Sequence, residues 1–240
     1  MKKYLNARGL IALFGIELAL FTGYLLLILP GLSANVRAAF LMRLGLIVVW
    51  IVCGGLGMLR LREPIRNVCR RFRLDASVQF VLLATFLALV EEMITTTLTN
   101  MAPLFGVPLG AAYITASSNY FDVVCFHSVV VFIPMFIGWA VLLRRYAFSP
   151  AAVFLLFGIS GVLAEALYGG GQALLDMGLW VFVYGLMVYL PAYILPANSA
   201  AKPPRWWHYG LAILLPLVFA VPVALVVGAI HPVRVHFGSA

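Results

Sequence analysis

Long apolar runs alternate with short polar segments along this chain. A helix needs about 20 residues to cross the roughly 30 Å hydrocarbon core of a bilayer, and seven runs have about that length. They cover residues 10–32, 38–59, 78–101, 123–143, 151–168, 179–196 and 208–230. Because a helix satisfies its own backbone hydrogen bonds in lipid, the pattern predicts an all-α, polytopic transmembrane bundle of about seven spans. We expect residues 1–240 to form a single integral-membrane domain.

The composition agrees with a protein that is surrounded by lipid. Of the 240 residues, 64% are hydrophobic and 10% are charged, whereas soluble domains carry about 25% charged residues. The net charge of +8 would by itself suit a nucleic-acid-binding protein. However, the basic residues stand in short segments between the apolar runs, which is typical of membrane topology signals, so no nucleic-acid partner is expected.

The distribution of Lys and Arg predicts the orientation of the chain. When seven spans are threaded through a membrane, thirteen of the 16 basic residues fall on one side. They occupy the N-terminus and the segments 60–73, 144–145 and 202–205. Because basic loops are retained in the cytoplasm, we expect a cytoplasmic N-terminus and an external C-terminus. The predicted location is the plasma membrane or its equivalent.

The segment 60–73 between the second and third runs is dense in basic residues, with apolar residues between them. We expect this loop to lie along the inner leaflet, where each basic residue contributes on the order of 1 kcal/mol of attraction to anionic lipid. An alternative is that it serves only as a topology signal. The expected partners are thus the lipid bilayer and anionic lipid at 60–73, while an oligomer or a partner subunit stays open.

Two adjacent acids, Glu91 and Glu92, stand inside the third run. A charged residue at mid-bilayer costs about 2.5–3.5 kcal/mol on insertion scales, so two neighbouring carboxylates are expected to hold a proton or share a cation. At helical spacing Glu92 shares one face with Thr95, Thr96 and Thr99. We expect that polar face to point into the bundle or a pore rather than at lipid.

Further polar groups fall at the same depth on the next two spans. With the third span running outward, Asp122 and His127 lie in the outer approach of the fourth span, and Glu165 lies near the outer end of the fifth. This agreement among three successive helices indicates one site, although Asp122 also suits the N-cap of the fourth helix. The candidate catalytic residues are Glu91, Glu92, His127 and Glu165, and the supporting residues are Thr96, Asn100, Asn119, Asp122 and Tyr168.

Carboxylates and imidazoles are also metal ligands. Glu92, His127 and Glu165 could together hold a divalent metal ion, although the sequence identifies neither the ion nor any other cofactor. The longest loop, residues 102–122, has no Lys or Arg and is rich in Gly, Pro, Ser and Ala. We expect it to dip back into the membrane or to cap a cavity from outside, against protein or water.

The Glu91-Glu92 pair, followed about 35 residues later by His127 on the next span, resembles the CPBP family of glutamic intramembrane proteases, the CAAX-processing and bacteriocin-processing enzymes. The resemblance covers about 80 residues and implies that Glu91 or Glu92 activates water while His127 helps to bind the oxyanion. The chain departs from the family's E-E-x-x-x-R motif at Thr96 and has Val123 where an aromatic residue precedes the His. The closing H-x-x-x-[ND] motif is absent, and Glu165 takes roughly its place in the order of elements.

Three functions fit this pattern. The first is a membrane-embedded hydrolase of peptides or lipids, in which the Glu/His cluster opens to the outer side. The second is a proton- or cation-coupled transporter of small molecules, against which stands the lack of an inverted repeat. The third is a non-catalytic membrane subunit or assembly factor whose polar stripe meets a partner helix.

Overall fold

The computed structural model describes residues 6–72, 74–168, 170–195, 200–233 and 235–237, without the side chain of Tyr168. Within these ranges most residues are helical, and the only β-structure is three isolated β-bridges. Six of the described helices are long and apolar enough to cross a membrane, and there are seven spans when the bent pair Tyr120–His127 and Val129–Arg145 is counted as one. The predicted all-α polytopic bundle is therefore confirmed.

The spans follow one another with short connections. α1 covers Ala7–Ile28; the second span is one unbroken helix made of α2 (Ala34–Leu46), a π-helical segment (Ile47–Gly54) and α3 (Gly55–Cys69); α4 covers Ala76–Asn100. α5 (Tyr120–Asp122) leads through a π-helical segment (Val123–His127) into α6 (Val129–Arg145), and α7 (Pro150–Tyr168), α8 (Met177–Ile194) and α9 (Trp206–Ile230) complete the bundle.

The second span is longer than predicted. Its 36 residues extend about 54 Å, so residues 60–69 are the last turns of α3 and the prediction of a loop there is wrong. This helix end packs on the end of α8, where the Arg62 guanidinium lies 4.6 Å from the centre of the Tyr193 ring. The Tyr193 hydroxyl donates to Glu63 at 2.6 Å. The apolar run ends at residue 59 because the residues that follow are polar, but the helix itself continues beyond the hydrocarbon core.

The bundle has two ends of different character. At one end, here called the basic face, the segment after α6 pairs with the segment before α9, because Lys202 N donates to Arg145 O at 2.9 Å. At the opposite end, the far face, the tail after α9 meets the loop between α4 and α5, because His236 N donates to Ala116 O at 2.7 Å. The spans run between the two faces. The side of the membrane on which each face lies stays a prediction from the basic residues.

Small residues bring α7 and α8 into close contact. A Cβ atom at Gly158 would lie 2.6 Å from the Val181 carbonyl oxygen, and a Cβ atom at Gly161 would overlap the Tyr184 ring. Helices in membranes associate through such small residues because lipid supplies no hydrophobic drive between them. The bare surface at Gly161 lets the Tyr184 ring lie directly on α7, one helical turn from Glu165.

A buried ion pair ties the first two spans to α8. Arg43, inside α2, donates from Nε and Nη2 to the two carboxylate oxygens of Asp176 at 2.7 and 2.8 Å. Its Nη1 donates to Thr22 of α1 at 2.9 Å. Nearby, Gly178 N at the start of α8 donates to Glu17 of α1 at 2.6 Å. These acids on the far-face half of the bundle have defined partners.

Candidate functional site

The helix α4 carries the predicted acidic pair. It begins after Asp75, whose side chain accepts a hydrogen bond from Ser77 N at 2.8 Å; this bond lowers the pKa of the Asp75 carboxyl. The first 15 residues of the helix are mostly apolar. Glu91 and Glu92 follow, and they are only 4% and 7% exposed. The acids thus lie inside the bundle, in the far-face half of α4.

The polar face of α4 points into the bundle, as its composition predicts. Thr95, Thr96 and Thr99 are all buried. The Thr95 hydroxyl donates to Glu92 Oε2 at 3.1 Å. The Thr99 hydroxyl accepts a hydrogen bond from Ile114 N in the α4–α5 loop at 3.2 Å. The Thr96 hydroxyl, also buried, has no hydrogen-bond partner among the described residues.

Three carboxyl groups from two helices come together beside one phenol. Glu91 interacts electrostatically with Glu92 and with Glu165 of α7, and Glu165 also interacts with Glu92. The Tyr184 hydroxyl of α8 donates to Glu165 Oε1. We call Glu91, Glu92, Glu165 and Tyr184 the acidic cluster. The sequence placed the three acids at one depth, and the structure brings all three together.

Hydroxyl groups surround the Glu92 carboxylate. Besides Thr95, the hydroxyls of Ser128 and Thr115 interact with it. Thr115 belongs to the loop between α4 and α5, while Glu92 lies eight residues, or about 12 Å along the helix axis, before the end of α4. The loop therefore folds back into the bundle and covers the acidic cluster from the far face, as its apolar, uncharged sequence led us to expect.

In the described part of the chain, no Lys, Arg or His forms an ion pair with the acidic cluster. Among the described residues, Arg43 and Arg66 pair with Asp176 and Glu63, and no salt bridge reaches Glu91, Glu92 or Glu165. Three neighbouring carboxylates in a bundle interior are costly to keep ionised without a counter-charge. Protonation or a bound cation would lower that cost.

The fourth span breaks where it passes the acidic cluster. Its two parts meet at an angle of 46°, because the segment Val123–His127 is π-helical and Ser128 leaves helical geometry at φ −135° and ψ −79°. The Ser128 N–H bonds back to Val123 O at 3.0 Å. Single π-turns inside helices often stand at functional sites. Here the break turns Ser128 toward Glu92 and His127 toward the tail after α9.

A second group of polar side chains surrounds His127. His127 Nε2 lies 3.5 Å from Asp122 Oδ2, and His231 Nε2 lies 3.1 Å from Asp122 Oδ1. Ligand atoms of His127, His231 and His236 all lie within 4.8 Å of one another. We call Asp122, His127, His231 and His236 the histidine cluster. It joins the start of the fourth span to the tail after the seventh.

The structure divides the residues predicted for one metal site. Glu92 and Glu165 belong to the acidic cluster, whereas His127 belongs to the histidine cluster, so the predicted set of Glu92, His127 and Glu165 is not the group whose ligand atoms converge. The physical reason is the break in the fourth span. It points His127 away from the side of the helix on which its neighbour Ser128 contacts Glu92.

The remaining predicted residues have mainly structural contacts. Asn100 Nδ2 donates to Ser118 O at 2.9 Å and so anchors the loop. Asn119, not Asp122, is the N-cap of the fourth span, because its side chain accepts from Phe121 N at 3.0 Å. This corrects the expectation of a capping role for Asp122, whose carboxylate faces the histidines instead. Tyr168 ends α7, and its side chain lies outside the described residues.

Sequence reasoning missed His231, His236, Tyr184 and Ser128. A signal for the two histidines was available, because threading seven spans puts His231 and His236 on the same side as His127. Tyr184 and Ser128 gave no such signal, because a lone hydroxyl residue in an apolar run is common in membrane helices.

Comparisons of the chain with protein-family models, with curated proteins and with solved structures found no match. The resemblance to the CPBP proteases therefore stays a prediction that rests on Glu91, Glu92 and His127. The function has to be argued from the two clusters themselves.

Proposed function

We propose that the chain is a membrane-embedded hydrolase that cleaves a peptide or lipid substrate at the acidic cluster. The observation that carries this proposal is the setting of Glu92. Its buried carboxylate is surrounded by three hydroxyl groups and two further carboxyl groups. A base next to a protonated acid is the pairing that hydrolysis of an ester or amide needs.

The proposed reaction uses the carboxyl groups in different protonation states. Glu92 removes a proton from a water molecule that the hydroxyls of Thr95 and Ser128 orient, and the hydroxide adds to the substrate carbonyl carbon. Glu91 or Glu165, holding a proton, gives it to the leaving amine or alkoxide as the C–N or C–O bond breaks. Transfer of the proton from Glu92 back to that carboxylate restores the cluster.

Each part of this scheme has structural support. The Tyr184 hydroxyl orients Glu165 by donating to it, and α8 holds Tyr184 through its packing against Gly161. The loop that bears Thr115 shields the cluster from the far face. Exclusion of bulk water in this way strengthens every electrostatic interaction inside the site.

The test compares two Glu-to-Gln variants in lipid nanodiscs. The purified protein is incubated with fluorogenic peptides that carry an apolar segment and with labelled phospholipids, and product release is measured. We expect hydrolysis by the wild-type protein, its loss in Glu92→Gln, and its retention in the matched control Glu63→Gln, because Glu63 is exposed at the basic face. Equal turnover by Glu92→Gln and the wild-type protein would overturn the proposal.

A proton- or cation-coupled carrier is the second candidate, and one observation favours it. The three carboxyl groups of the acidic cluster have no Arg or Lys partner among the described residues, so they are free to take up and release cations. In proteoliposomes, a carrier would move protons or Na⁺ at a rate that falls on Glu91→Gln and Glu92→Gln. Such flux, with no product from any peptide or lipid, would replace the hydrolase proposal by this one.

A further inference from the structure

The histidine cluster presents polar atoms that the bundle itself leaves without partners. Asp122 Oδ2, His127 Nε2 and His231 Nε2 are buried and form no hydrogen bond among the described residues. The side chains that carry them are 16%, 11% and 22% exposed. A buried polar atom without a hydrogen bond lowers the stability of the folded protein, so three at one point need an explanation.

Ordinary His–Asp hydrogen bonds do not supply that explanation. Asp122 Oδ2 lies 3.5 Å from His127 Nε2, and Asp122 Oδ1 lies 3.1 Å from His231 Nε2. Both are ion-pair distances, but neither contact is well aligned as a hydrogen bond. The imidazole nitrogens and the carboxylate oxygens are thus close together but not aligned for hydrogen bonds. Polar atoms in such an arrangement can all contact an ion that lies between them.

The distances fit the ligand shell of a metal ion. For Zn–N and Zn–O bonds of roughly 2.0–2.1 Å in a tetrahedron, neighbouring ligand atoms lie about 3.3 Å apart. The distances from His231 Nε2 to Asp122 Oδ1, 3.1 Å, and from His127 Nε2 to Asp122 Oδ2, 3.5 Å, lie on either side of that value, one for each carboxylate oxygen. The ligand atoms of His127, His231 and His236 lie within 4.8 Å of one another. The His231 and His236 rings are stacked, with centroids 4.2 Å apart, so one of them has to rotate about its side-chain bonds before both lone pairs can meet on one ion.

His236 also has the outer contact that metal-binding histidines show. Its Nε2 lies 2.7 Å from the carbonyl oxygen of Val233. Because a carbonyl oxygen only accepts, Nε2 carries the proton and Nδ1 keeps the lone pair. A second ring nitrogen that donates to a carbonyl is the usual way in which a ligating imidazole is oriented.

We propose that Asp122, His127, His231 and His236 bind one divalent metal ion, with Zn²⁺ the best fit to three imidazoles and one carboxylate. The ion would connect the start of the fourth span to the tail after α9 and hold that tail on the loop above the acidic cluster. This inference does not depend on the proposed hydrolase, because it concerns different side chains and is measured without turnover.

The first test is the metal content of the purified protein. The protein is produced with a tag that contains no histidine, loaded with Zn²⁺, freed of loosely bound ions by gel filtration and analysed by mass spectrometry. We expect about one Zn²⁺ per chain, as four ligands make one closed site. Contents at or near zero are expected for His231→Ala and His236→Ala.

The matched control is the fourth histidine of the chain. His208 lies at the basic face, where its Nδ1 accepts from Arg205 N at 2.6 Å, and His208→Asn keeps an acceptor at that position. This variant should bind as much Zn²⁺ as the wild-type protein. Equal Zn²⁺ in His236→Ala and the wild-type protein, or a wild-type content near zero, would overturn the proposal.

A stability measurement covers the case in which His231→Ala fails to fold. His236 lies in the tail rather than in a helix, so His236→Gln leaves the spans intact. An ion that binds only the folded protein raises its thermal midpoint in proportion to the logarithm of ion concentration. Chelation should lower the midpoint of the wild-type protein and of His208→Asn but not that of His236→Gln; an equal effect on all three would contradict the proposed site.

Discussion

Two groups of acids lie inside this bundle, and they differ in their partners. Asp176 accepts two hydrogen bonds from Arg43, at 2.7 and 2.8 Å, and Glu17 accepts one from Gly178 N. Glu91, Glu92 and Glu165 instead have one another, the Tyr184 phenol and several hydroxyls. Asp176 is compensated in charge by Arg43, whereas Glu91, Glu92 and Glu165 have no salt bridge among the described residues.

The difference separates structural acids from candidate functional ones. A paired carboxylate in a membrane holds helices together at little net energy, since a complementary cation offsets its desolvation. An acidic cluster without a cation costs stability in the folded protein, and such a cost is typical of sites that bind or transfer protons. Neutralising variants should therefore have opposite effects in the two groups.

The largest effect is expected for Glu92→Gln. Loss of a general base lowers turnover by roughly 10²–10⁴-fold, while the loss of one charge from the acidic cluster should leave stability unchanged or raise it. The measurement pairs product release with thermal denaturation of the same nanodisc sample. A variant that loses both activity and stability would show that Glu92, like Asp176, is a structural acid.

Asp176→Ala should have the next largest effect, on stability. It leaves the Arg43 guanidinium buried without its carboxylate, and breaking one partner of a buried pair costs about 3–5 kcal/mol. Reversible unfolding in mixed micelles measures the loss. The double variant Arg43→Met/Asp176→Leu should recover much of the lost stability. If the free energy of unfolding of Asp176→Ala lies within about 1 kcal/mol of the wild-type value, the pair contributes no more than a surface salt bridge.

Tyr184→Phe is expected to have an intermediate effect. Glu165 loses a buried hydrogen-bond donor, which costs about 1–3 kcal/mol. The matched control is Tyr193→Phe, because the Tyr193 hydroxyl donates to the exposed Glu63 and its loss should change stability by less than about 0.5 kcal/mol. Equal losses in the two variants would contradict a special role for Tyr184 in the acidic cluster.

The smallest effect is expected for Thr96→Val. The Thr96 hydroxyl is buried without a partner among the described residues, so its removal should be neutral or stabilising by up to about 1 kcal/mol. Thr95→Val is the sharper comparison, since it removes a hydrogen bond to Glu92 and should destabilise by about 1 kcal/mol. Destabilisation by Thr96→Val as large as that of Thr95→Val would mean that the Thr96 hydroxyl has a bound partner, such as water or substrate.

Much of the fold could be predicted from the sequence. The seven apolar runs match the seven spans to within a few residues, apart from α3, because length and hydropathy decide whether a helix can cross a bilayer. The inward direction of the Glu92–Thr99 face was also predictable, since polar side chains avoid lipid. The contact of Asp122 and His127 with His231 and His236 was not predicted, because the position of the tail after α9 depends on the folded loop.

The amino-acid sequence alone specifies an all-helical membrane bundle with scarce acids at one depth, because each residue's preference for lipid or for the bundle interior is a local property. Which polar groups meet depends on how the helices pack. A helix in lipid can turn about its axis, and a break such as that at Ser128 reorients every side chain beside it. Thus Arg43 pairs with Asp176, Tyr184 donates to Glu165, and His127 lies beside His231 and His236 rather than in the acidic cluster.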